Sequence, residues 1–91
     1  MASQVIKKDG SRESFDVSKI ERAIRAAASL TELSEERVEE VVREVSAVVV
    51  KVAEEKETIT SYEIRDVLLG KLDRIEPAVS EVWRQYRKNK E

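Results

Sequence analysis

The 91-residue sequence contains no cysteine and no histidine. Without cysteine there is no disulfide and no thiolate metal site. Without histidine there is no imidazole to serve as a general acid or base near neutral pH. The chain holds one proline and two glycines. Aromatics make up only 4% of the residues, so the core must be aliphatic. No apolar run approaches the roughly 18 residues that cross a bilayer. Residues 1–8 lack the apolar centre of a signal peptide. No membrane partner is expected, and the expected location is the cytoplasm.

Charge of a single sign is missing too. Seventeen Lys and Arg face 19 Asp and Glu, for a net charge of -2. Charged residues nevertheless reach 40% of the chain, with both signs interspersed. There is no basic stripe of the kind that tracks a nucleic-acid backbone. The length fits one domain over residues 1–91, with a modest core.

The apolar pattern orders the chain. Asp9-Gly10 lies between the short runs Ser3 to Lys8 and Ser11 to Phe15. It predicts a β-hairpin with a type I′ turn, which needs positive φ at both central residues. Asp16 is placed to cap a helix from Val17 to about Leu30, with a 3.6-residue stripe of Val17, Ile20, Ala23, Ile24, Ala27 and Leu30. Ser34 begins a longer helix. Its stripe is Val38, Val41, Val42, Val45, Val48, Val49 and Val52. Valine favours strands, but the spacing is three and four rather than two. Thr58-Ile59-Thr60 predicts a short third strand beside the hairpin, making an antiparallel flap. Ser61 is the expected cap of a third helix, and Gly70 inside it predicts close packing. Pro77 suits the first turn of a fourth helix. The expected fold is α+β, mostly α: a small N-terminal β-hairpin flap, of two or three strands, over a four-helix bundle.

These elements carry a recognisable signature. Val5-Ile6-Lys7-Lys8-Asp9-Gly10, then Glu13, Phe15-Asp16 and Lys19-Ile20, resembles the opening of the ATP-cone, a domain found at the N-termini of ribonucleotide reductases and in a bacterial repressor of reductase genes. Ile59-Thr60-Ser61 with Ile64 is similar to the start of that family's third helix, and Trp83 with Tyr86-Arg87 to its last one. Lys8 stands where the family usually has arginine, and lysine cannot clamp a phosphate with two bonds. The resemblance implies an adenine nucleotide, ATP or dATP with or without Mg, as an allosteric signal that is bound and not consumed. It implies nucleotide contacts at Val5, Lys7, Lys8, Glu13, Asp16, Lys19, Ser61, Arg65, Arg87 and Lys88. Lys7, Lys8, Lys19 and Lys88 would face the phosphates, and Glu13 and Asp16 the base. Ser61 would supply the N-terminus of a helix, which favours anions. Arg65, Arg84 and Arg87 are expected to rearrange around a phosphate.

Taken singly, each residue has a plainer role. Lys7 and Lys8 could protect a sheet edge, Asp16 and Ser61 could be caps, and Glu13 could pair with a lysine across the strands. Trp83 and Tyr86 fit a core or its rim better than a base-stacking platform. The main alternative is a helical module for protein interaction or homo-oligomerisation that binds no nucleotide. In the nucleotide reading, self-association or a reductase-like partner protein would transmit the signal. Direct DNA binding is not expected, because the family's repressor reads DNA through a cysteine-ligated zinc ribbon. No Gly-x-x-x-x-Gly-Lys-Ser/Thr loop is present, so an enzyme is not expected either.

Overall fold

Seven elements follow in chain order: β1 (Gln4–Ile6), β2 (Arg12–Ser14), α1 (Val17–Ala28), α2 (Glu35–Glu54), β3 (Thr58–Thr60), α3 (Ser61–Ile75) and α4 (Pro77–Lys90). They come from a computed structural model that describes the backbone of residues 1–90 and the side chains of residues 1–86. Helix dominates, and the strands form one small sheet in the order β2-β1-β3.

The caps explain where the helices begin. Asp16 accepts from the Ser18 amide at 3.0 Å, and Ser34 from the Arg37 amide at 3.1 Å. Each satisfies an N–H that the first turn leaves open. The third helix begins differently from expectation. Its cap is Thr60, in a reciprocal capping box with Glu63, and Ser61 is the first helical residue. Thr60 carries the side-chain oxygen and Glu63 sits three residues on, the spacing such a box needs.

The hairpin also departs from expectation. Gly10 alone has positive φ, at 88°, so the turn is not type I′. The Gly10 amide donates to the Lys7 carbonyl and the Lys7 amide to the Ser11 carbonyl. The result is a three-residue loop, a tight turn closed by a left-handed glycine bulge. β3 runs parallel to β1, with Val5 opposite Ile59, so the flap is mixed rather than antiparallel. No hairpin joins β1 to β3. The chain returns through α1 and α2, which allows the parallel direction.

The helices pack in a ring, α1 on α2, α2 on α3, α3 on α4 and α4 on α1. Their centre is aliphatic: Ile24, Val41, Val45, Val49, Leu72 and Val79 have no exposed surface. A second, smaller cluster of Ala2, Val5, Ala53 and Ile59 lies under the sheet. Phe15 packs against both clusters, and so joins flap to bundle. Gly70 shows no close packing: it is exposed and a Cβ there would meet nothing within 4 Å.

Candidate functional site

The flap and the helix starts enclose a cavity of about 190 Å³. Three separate segments build it. Val5, Glu13, Ser14 and Phe15 come from the flap side, Asp16, Lys19, Ile20 and Ala23 from the start of α1, and Ser61, Ile64, Arg65 and Leu68 from the start of α3; Trp83 of α4 completes the wall. Register puts Glu13 directly across from Val5. Cross-strand partners share a sheet face, so this acid lies on the same face as buried Val5. The helix periodicity sets the other pairs. Asp16 and Lys19 are three apart, Ser61 and Arg65 four apart, and such residues stand side by side on a helix.

The polar groups are mostly held by one another. Glu13 Oε2 lies 3.7 Å from Lys7 Nζ and 3.9 Å from Lys19 Nζ. Asp16 receives the Ser18 hydroxyl at 2.6 Å and the Ser18 amide at 3.0 Å, both on Oδ1. These bonds, the hydroxyl first, hold its carboxyl below the usual carboxylate range, and the nearby Arg22 and Lys19 charges add to the effect. At neutral pH Asp16 is therefore an ionised acceptor. The starts of α1 and α3 both face the cavity, and their amide-rich ends favour negative charge. Chemically the place offers an apolar floor, two carboxylates, two lining cations and a third cation, the Lys7 ammonium, on the hairpin.

Of the ten residues expected from sequence, Val5, Glu13, Asp16, Lys19, Ser61 and Arg65 line this one cavity. Lys7 joins them through Glu13. Lys8 is exposed in the hairpin loop and does not line it. The side chains of Arg87 and Lys88 lie outside the described residues. Arg84 was expected to rearrange around a phosphate, but it forms a two-bonded pair with Asp73 at 2.8 and 2.9 Å. The Ser80 hydroxyl joins Asp73 at 2.6 Å. That geometry ties α3 to α4. Sequence reasoning missed the apolar floor of Phe15, Ile20, Ile64 and Leu68. The signal was present, since Ile20 belongs to the apolar stripe of α1, Ile64 and Leu68 are four apart on α3, and Phe15 lies two residues before α1.

A second cavity of about 320 Å³ lies between α1 and α4, lined by Ala23, Ala26, Ala27, Leu30, Val82, Trp83 and Tyr86. Ala23 and Trp83 belong to both walls. Among the described residues no three acidic side chains gather in a way that could hold a metal ion. No described helix is long and apolar enough to cross a membrane.

Comparison with known proteins adds two findings. The family model "ATP cone domain" matches residues 3–91. Curated proteins similar to this chain include the transcriptional repressor NrdR of Synechococcus sp. (strain JA-3-3Ab), 35% identical over 75 residues, which are 82% of this chain and 36% of that protein. NrdR of Gloeothece citriformis (strain PCC 7424) is 43% identical over 65 residues, 71% of this chain and 35% of its own. NrdR of Chloroflexus aggregans is 37% identical over 68 residues, 75% and 38% respectively. The chain thus spans little more than a third of the length of these relatives. They also correct one expectation. Exclusion of direct DNA binding does not stand against relatives that are transcriptional repressors. It rested on missing cysteine, which removes one kind of DNA reader and no other.

Proposed function

Because the chain belongs to the ATP-cone family, we propose that it is a regulatory module that binds an adenine nucleotide, ATP or dATP, and transmits that binding without consuming it. Residues 1–91 form the unit that does so. The carrying observation is that Val5, Glu13, Asp16, Lys19, Ser61 and Arg65, distant in sequence, meet around one cavity. The cavity is small beside ordinary ligand pockets. It suits base and sugar, with the triphosphate at the rim beside Lys7, Lys19 and Arg65. Asp16 and Glu13 would accept from the adenine amino group. Any magnesium would arrive on the triphosphate. The output is a change in assembly, because a sensor must favour one state over another to report anything. By likeness to the repressors, the setting is control of transcription.

A ligand that binds only the folded state stabilises it by about 2.7 kcal/mol at a hundredfold excess over Kd. At roughly 4–8 °C per kcal/mol for a domain of this size, millimolar ATP or dATP should raise Tm by more than about 10 °C. Lys19→Ala should reduce that shift, and Lys51→Ala, on an exposed part of α2, should not. An unchanged Tm would remove the reading. A second reading, a docking module for protein, draws on the groove between α1 and α4, where Leu30 and Tyr86 are 72% and 56% exposed. Mass measured by light scattering, without ligand and with ATP or dATP, separates the two.

A further inference from the structure

Among the described ion pairs, Glu13 is the one acid within reach of both Lys7 of the hairpin and Lys19 of α1. Its position in β2, opposite Val5, puts a charge on the inner sheet face, where an apolar residue would ordinarily pack. One oxygen, Oε2, lies 3.7 Å from Lys7 Nζ and 3.9 Å from Lys19 Nζ. The Glu13 side chain is 40% exposed and those of Lys7 and Lys19 50% and 58%. Such contacts are easily exchanged, because exposed lysine–carboxylate pairs gain little over water. Among the described ion pairs no second acid reaches either lysine, although the Lys7 and Lys19 charges also act at longer range on Asp9 and Asp16. The contrast with the arginines is chemical. An ammonium is a point charge with three rotatable donors, and it can pass from one anion to another without losing a fixed fork.

We infer that Glu13 is a built-in competitor for the ligand's phosphates: its carboxylate occupies Lys7 and Lys19 in the empty protein, tying the flap to α1, and an incoming polyphosphate displaces it. This inference rests on the nucleotide reading above. Its consequence is twofold. The resting site carries less net positive charge than its cations alone would give, which weakens binding of small inorganic anions. Displacement also replaces the flap's tie to α1 through Glu13 by one through the phosphates, so occupancy of the site and the position of the flap are coupled through one side chain.

Inorganic tripolyphosphate tests this, because it has the charge of the ligand and no base for Glu13 to recognise. Calorimetric titration at low salt, where screening is weak, would compare wild type, Glu13→Gln, Glu13→Gln with Lys19→Ala, and Glu32→Gln. Glu32 is exposed in the loop beyond the far end of α1. Circular dichroism would check that each variant is folded. Glu13→Gln should bind tripolyphosphate about fivefold more tightly, the effect of one unit charge at contact distance in a largely aqueous setting. The gain should vanish when Lys19→Ala is added and should be absent in Glu32→Gln. Unchanged or weaker binding in Glu13→Gln, or an equal gain in Glu32→Gln, overturns the inference while leaving ATP binding by wild type intact. A gain that survives Lys19→Ala overturns it too. If wild type binds neither ATP nor tripolyphosphate, the nucleotide reading falls first and this inference with it.

Discussion

At the joint between α3 and α4, Arg84 holds both oxygens of Asp73 at 2.8 and 2.9 Å. Under the flap, Lys7 and Lys19 stand 3.7 and 3.9 Å from a single oxygen of Glu13. The same division runs through the bundle. Arg25 grips Glu39 with two bonds of 2.7 and 2.9 Å across α1 and α2, and Arg37 reaches from α2 to Glu76 at 2.7 Å. Arginine forks fix helix to helix, because a planar guanidinium matches a carboxylate in one geometry. Lys7 and Lys19 stand beside the cavity, where their charge is loosely matched and can be given to a ligand, whereas Lys56 pairs closely with Glu63 at the start of α3. In these pairs the tightly matched charges lie at helix joints and the loosely matched ones beside the cavity.

The largest effect should come from neither kind of charge. Leu72 has no exposed surface and sits in the main core. Leu72→Ala should cost about 2–5 kcal/mol, read as a fall in urea midpoint. Val5→Ala, in the small cluster under the sheet, removes one fewer buried carbon and should cost less. If the two were equal, flap and bundle would be one cooperative core, and the comparison would weaken.

A smaller effect should separate the arginine forks from the lysines. The Arg84 guanidinium, and after it the Ser80 hydroxyl, lower the Asp73 pKa from 3.8 to about 2. A carboxyl whose pKa is lower when folded adds stability above its unfolded pKa and loses it as pH falls through the folded value. Asp73→Asn should therefore lower Tm at pH 7, and the gap to wild type should close between about pH 4 and pH 2. Its ATP affinity should match wild type. A constant gap across that range would mean that the pair does not set the acid limb.

The smallest effect is a gain. Gly70 is exposed in α3, and an added Cβ meets nothing within 4 Å. Gly70→Ala should stabilise by about 1 kcal/mol through helix propensity, with no change in ligand binding. A loss of stability would show a packing role that the open surroundings do not provide.

Gly70 also marks where sequence runs out. A glycine within a helix stripe reads the same whether it faces a neighbour or solvent, and only the packing decides. Helix periodicity was legible, because Val38 through Val52 repeat at three and four and the caps Asp16 and Ser34 carry the right oxygens. Strand direction was not, because Thr58-Ile59-Thr60 is too short to say which way it runs. Asp-Gly was legible as a turn and illegible as a turn type, since one added loop residue moves positive φ from two residues to Gly10 alone. For the site, the signature brought Glu13, Asp16, Lys19, Ser61 and Arg65 into view together. The Asp73–Arg84 fork escaped because it crosses the break at Glu76 and Pro77, where no helical spacing applies.

Amide hydrogen exchange over the whole chain, with and without saturating ATP, tests the central claim most directly. The account predicts slowed exchange in residues 4–16 and in the first turns of α1 and α3, around Lys19 and Ser61, with little change at the Arg37–Glu76 and Asp73–Arg84 joints. Protection confined to the groove around Leu30 and Tyr86, with residues 4–16 unchanged, would contradict it.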